Sequence, residues 1–159
     1  MDELSLARAL HVLAIVIWIG GVAMVTMVLL PAVRGFKSSA ERLAFFEAVE
    51  SRFAAQARVA TVIAGITGLY MIYLLDAWDR FLSISYWWMH AMVLVWALFT
   101  FMLFIAEPLF FRRRLRERAA SDPEGTFARI RYLHWVMLTV SLITLFGAVA
   151  GSHGLNLFF

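Results

Sequence analysis

Residues 6–34 read LARALHVLAIVIWIGGVAMVTMVLLPAVR. Arg8 and Arg34 bracket the stretch, and the only titratable residue between them is His11. A helix needs about 20 apolar residues to cross about 30 Å of hydrocarbon, and this run exceeds that. Backbone that enters lipid must pair its own N–H and C=O groups, because each one left bare costs several kcal/mol. The stretch therefore reads as a membrane-spanning helix. Three further apolar blocks follow, and the pattern predicts helices over about 5–33, 55–77, 85–111 and 128–152. The composition agrees: 63% of the 159 residues are hydrophobic and 16% charged, against about half and about a quarter in soluble domains. The expected fold class is all-α, an integral membrane four-helix bundle forming a single transmembrane domain over 1–159.

The first block is too long for a secretory leader and lacks a small-x-small cleavage pattern, so it reads as a retained helix. No cysteine is present, which excludes disulfides, thiolate metal sites and iron–sulfur clusters. The net charge of +3 comes from thirteen arginines and Lys37 set against eleven acidic residues. Its placement speaks against nucleic acid. Arg34, Lys37, Arg42 and Arg52 fall between the first two apolar blocks. Arg112, Arg113, Arg114, Arg116, Arg118, Arg129 and Arg131 fall between the last two. Only Arg80 lies in the middle connection, only Arg8 stands near the N-terminus, and Arg58 lies just inside the second block. The positive-inside rule then puts both basic connections in the cytoplasm and both termini on the outer, periplasmic side of a bacterial cytoplasmic membrane. Membrane lipid is the first expected partner, including headgroup contacts for the excess arginines.

Within the first connection, Leu43, Phe46, Val49 and Phe53 share a stripe opposite Glu47 and Glu50. That spacing predicts an amphipathic cytoplasmic segment over about 38–54, either lying on the inner surface or extending the second helix. Ala60, Ala64 and Gly68 form a small-residue ridge on the second helix, and Gly147 and Gly151 repeat the device on the fourth. The fourth-helix pair serves packing within one bundle or association of two copies. The cluster SDPEG at 121–125 is a turn signal.

Four histidines carry the functional expectation. His11, His90 and His153 fall near the outer ends of the first, third and fourth helices, and His134 near the inner end of the fourth. Ionisable groups in a bilayer are costly and usually face the bundle interior. In an up-down bundle the first and third helices are diagonal. Histidines there at one depth can reach both faces of a planar cofactor, as haem iron requires. On this reading His11 and His90 are axial ligands, and His153 is a third ligand, a ligand to a second haem or a proton donor at a quinone site. Gly68, Gly147 and Gly151 then make room for the macrocycle edge, and Arg8 or Arg80 pairs with its propionates. The faces drawn for this arrangement run through Arg8, His11, Ile15, Trp18, Val22 and Val25 on the first helix. On the third they run through His90, Leu94, Ala97, Phe101 and Phe104.

The segments ALHVLAIVIWIGG and RVATVIAGITGLYM resemble the first two helices of the CopD and HemJ group of membrane proteins, with its Leu-His pair followed by Trp-x-Gly-Gly. The HemJ branch implies a b-type haem on a membrane protoporphyrinogen oxidase, its helix-1 histidine falling on His11. It also implies a lysine in the third helix, where this chain has His90. The CopD branch implies copper transport or resistance, with Met71, Met89, His90, Met92 and His153 as soft or imidazole donors. The leading expectation is a haem b cytochrome, an oxidoreductase passing electrons between membrane quinol and an outer-side redox partner or oxidant. Copper is the alternative.

Overall fold

The computed structural model describes residues 2–36 and 38–154, with side chains given except at 110–113, 115 and 116. Lys37 and the side chains of Arg112, Arg113 and Arg116 thus lie outside the described residues. The described residues are helical almost throughout, with no strand among them.

The first span, α1, runs Glu3–Met24 and continues through a π-helical Val25–Leu29 and two short turns to Gly35. Asp2 caps its start, accepting from the amide of Leu4 at 3.3 Å. The second, α2, is one unbroken helix over Ser39–Leu74. The amphipathic segment expected over 38–54 is therefore the first half of α2, the second of the two placements its stripe allowed. Ser38 caps it, accepting from the amide of Glu41 at 3.4 Å. Ser38 and Glu41 have the S-x-x-E spacing of a capping box.

The third, α3, begins at Trp87 and is α-helical to Phe101, π-helical over Met102–Phe111 and α-helical again over Arg112–Ser121. The fourth, α4, covers Pro123–Ser152 behind an Asp122 cap that accepts from the amide of Gly125 at 2.9 Å. Proline in its first turn loses nothing, since that N–H has no partner inside a helix. Four helices in the structure are thus long and apolar enough to cross a membrane. At about 1.5 Å per residue the 36 residues of α2 reach about 54 Å, well beyond the hydrocarbon layer.

Packing is strongest between α1 and α2, and next between α3 and α4; the α2–α3 and α1–α4 sides are thinner. This puts α1 and α3 on a diagonal. One end of the bundle carries the described termini and the α2–α3 connection; the other carries most of the arginines. Two cores follow from this layout. Ala14, Trp18 and Val22 of α1 meet Ala57, Ala60 and Ala64 of α2, with Val95 and Phe99 of α3 and Leu138 of α4. The small alanines of the ridge let α1 come close, as their spacing implies. Nearer the arginine-rich end, Phe46 is fully buried among Val25, Leu29, Leu30, Val33, Phe127 and Ile130, with Leu43, Val49 and Phe53 packed alongside. The polar-opposite stripe of α2 thus faces protein.

The faces of α3 differ from expectation. Leu94, Phe101 and Phe104 are exposed, as are His90 and Ala97, while Trp88, Met89, Val95 and Phe99 are buried. Trp88 and His90 are about half a turn apart around the helix. The whole stripe that includes His90 therefore faces away from the bundle interior.

Candidate functional site

His11 lies half-buried on α1, two turns from Trp18 toward the N-terminus. Its Nδ1 is 3.0 Å from Oγ1 of Thr67 on α2. The Thr67 hydroxyl has its own acceptor in the carbonyl of Ile63 at 2.6 Å. One hydroxyl has one proton, so Thr67 gives it to Ile63 and accepts the Nδ1–H of His11. A neutral imidazole so held carries its lone pair on Nε2. That is the arrangement by which outer-shell partners prepare a metal-ligating histidine. Gly68 provides the room: a Cβ there would stand 3.2 Å from Cε1 of His11.

In the sequence Thr67 is an ordinary polar residue and the threonine of the Thr-Gly step in the second-helix segment that resembles the CopD and HemJ group. Its role as the orienting partner of His11 depends on the antiparallel register of α1 and α2, which no local pattern reveals.

His90 is arranged otherwise. Nε2 donates to the carbonyl of Phe81 at 3.0 Å, Nδ1 stands 3.3 Å from the carbonyl of Tyr86, and the ring lies edge-on to Phe81 at 5.5 Å. It holds the α2–α3 connection against the start of α3. His153 is exposed at the end of α4, its Nδ1–H directed to the carbonyl of Val149 at 2.8 Å. His134 is half-buried at the arginine-rich end, donating from Nδ1 to the carbonyl of Ile130 at 2.9 Å and standing edge-on to Phe46. Among the described residues no three His, Asp or Glu side chains come together as a metal site.

The glycines expected to admit a macrocycle are covered by the chain's own rings. His11 lies over Gly68, Trp87 over Gly147 and Trp88 over Gly151, where a Cβ would come within 2.6 Å of Cε3. Gly147 and Gly151 thus serve packing between α3 and α4. At mid-depth the diagonal is closed by Trp18 against Phe99, edge to face at 4.9 Å. A haem held on the axis between His11 and His90 does not fit this arrangement, because His90 points outward with its Nε2 already engaged. One imidazole fits as a prepared ligand, and it is His11. Arg8, one turn from His11, is exposed and without a partner among the described residues, whereas Arg80 stacks on the Tyr86 ring at 5.4 Å. For copper, Met89 is buried and Met71 and Met92 are half-buried.

A second polar constellation lies toward the arginine-rich end. Pro108 sits inside the π-helical run of α3. A π-helix bonds each N–H to the carbonyl five residues back, so proline leaves the carbonyl of Leu103 without its donor. Arg58 of α2 supplies one: its Nε donates to Leu103 O at 2.9 Å, and its Nη2 reaches Glu107 Oε2 at 2.8 Å. Glu107 is buried and Arg58 partly so. Arg58 thus both pairs with Glu107 and mends the helix.

Compared with family models, curated proteins and solved structures, the chain matches none.

Proposed function

We propose that this protein is a haem b oxidoreductase of a bacterial cytoplasmic membrane, ligated from this chain by His11 alone. The observation that carries the reading is the His11–Thr67 pair at 3.0 Å, which leaves Nε2 of His11 as a free lone pair on a fixed ring. The pattern shared with the CopD and HemJ group supports the same role for that histidine. When bound, haem b supplies one-electron chemistry, and the protein supplies orientation and surroundings.

The chain's own contributions are specific. Thr67 holds the ring plane and tautomer, Gly68 leaves the ring its space, and Arg8 offers a cation for an anionic substituent one turn away. The arginine asymmetry between the two ends supports termini on the outer side, with His11 near that surface. On this reading the redox partners are membrane quinol and an outer-side acceptor or oxidant.

The test is a reduced-minus-oxidised spectrum of detergent-purified protein, with haemin added back where purification strips it. The expected result is a b-type spectrum lost in His11→Ala and kept in His90→Ala. Loss in both variants would restore the paired ligation that the sequence suggested. A protein that stays colourless after haemin and instead takes up stoichiometric Cu(I) sinks the haem reading in favour of copper.

A further inference from the structure

The arginine-rich end contains a cavity of about 350 Å³ between the end of α1, the start of α2 and the start of α4. Arg34, Arg42, Arg131 and Glu124 line it, over an apolar floor that includes Leu30 and Phe127. Small-ligand pockets begin at about 300 Å³.

Three cations and one carboxylate face this space. Arg42 is held on several sides. Nη1 pairs with Glu124 Oε1 at 2.6 Å, Nη2 donates to Phe36 O at 3.4 Å, and the guanidinium lies over the Phe127 ring at 5.4 Å. Only 11% of its side chain is exposed, and its Nε is buried without a hydrogen-bond partner. Arg34 and Arg131 have no hydrogen-bond or ion-pair partner among the described residues. With Glu124 answered by Arg42, two guanidinium charges remain uncompensated around one cavity. Arg34 is exposed and Arg131 half-buried, so water screens part of their repulsion, and a bound anion removes the rest. Guanidinium forks match phosphate oxygens, two N–H donors to a pair of acceptors, better than they match any neutral group.

The position narrows the source of that phosphate. The cavity lies where the apolar run of α1 gives way to Pro31 and Arg34, and Tyr132 and Trp135 stand exposed on the adjoining part of α4. Exposed aromatics of this kind mark the headgroup layer, and basic pockets between membrane helices bind anionic headgroups. Leu30 and Phe127 give the glycerol and first acyl carbons an apolar wall.

We propose that this pocket binds a phosphate-bearing anion, and that its occupant is the headgroup of an anionic phospholipid. The site is separate from His11 and stands whether or not haem binds.

Full-length protein in detergent, titrated with dioleoyl phosphatidylglycerol, dioleoyl phosphatidylcholine or inorganic phosphate and read by native mass spectrometry, tests this. Phosphatidylglycerol should bind at least tenfold more tightly than phosphatidylcholine. That preference should fall at least tenfold in Arg34→Gln/Arg131→Gln, and stay unchanged in Arg52→Gln, an exposed arginine of α2 outside the cavity. Glu124→Gln, which removes the competing carboxylate, should strengthen phosphatidylglycerol binding severalfold and needs no loss of function to be read. Inorganic phosphate binding with the same arginine dependence, and no lipid preference, keeps the phosphate site but overturns the lipid as its occupant. Lipid binding that ignores the double substitution, or falls equally in Arg52→Gln, or does not rise in Glu124→Gln, overturns the proposal.

Discussion

A single proton decides the state of His11. Because the hydroxyl of Thr67 spends its proton on Ile63, the imidazole must donate from Nδ1. Thr67→Val keeps the shape of the side chain but removes that acceptor, leaving the backbone of Ala64 as the ring's remaining hydrogen-bond partner. Haem affinity should drop about 10- to 100-fold, as for other outer-shell substitutions. Haemin titration measures this, and an unchanged affinity would remove Thr67 from the site. Gly68→Ala asks less, since the added carbon stands 3.2 Å from Cε1 and the ring must yield by a few tenths of an ångström. The expected outcome is a shifted absorption spectrum with near-native thermal stability. A spectrum identical to that of the unsubstituted protein would show that the ring tolerates the extra carbon without moving.

At the scale of elements, the informative feature is the repair of α3 by α2. Arg58→Met leaves the carbonyl of Leu103 without its guanidinium donor and takes one partner from buried Glu107. The expected cost is about 1–3 kcal/mol, the range for stranding a buried polar group. Pro108→Ala returns an N–H to the ladder. Combined with Arg58→Met it should therefore lose less stability than the two single changes predict together, a coupling that a double-mutant cycle in denaturant detects. Strict additivity would separate the proline from the arginine.

This contact also shows where the sequence was legible and where it was not. Pro108 within an apolar run marks a disturbed helix, and an α-helical register would orphan the carbonyl of Phe104. The π register, which moves the orphaned carbonyl from Phe104 to Leu103, comes from how α3 packs. The stripe of Leu43, Phe46, Val49 and Phe53 was readable because charged Glu47 and Glu50 occupy the other side. On α3 both sides are apolar, since lipid tails are as apolar as leucine, so Leu94 and Phe101 gave no sign of facing outward. That ambiguity misplaced His90, and with it the second axial ligand. Gly147 and Gly151 were correctly seen as places of close approach; that indole rings fill them required the partner helix.

For the whole molecule, the uneven arginine distribution makes a testable statement about orientation. The chain lacks cysteine, so single introduced thiols report cleanly. Ser121→Cys and Ser152→Cys stand at opposite ends of α3 and α4. In intact cells a membrane-impermeant maleimide should label position 152 and spare position 121 until the membrane is opened; the reverse pattern would invert the topology. The broad α1–α2 and α3–α4 contacts, set against thin seams between the pairs, have a further consequence for how the molecule can be made. Each pair is held more closely within itself than to the other, although Trp18 on Phe99 and Phe46 on Phe127 cross the seam. Two separately translated halves, divided in the connection between Leu75 and Tyr86, should insert independently and reassemble in the bilayer. Biogenesis of this protein would then be a docking of two finished pieces, with the seam between them the last surface to close and the first to part.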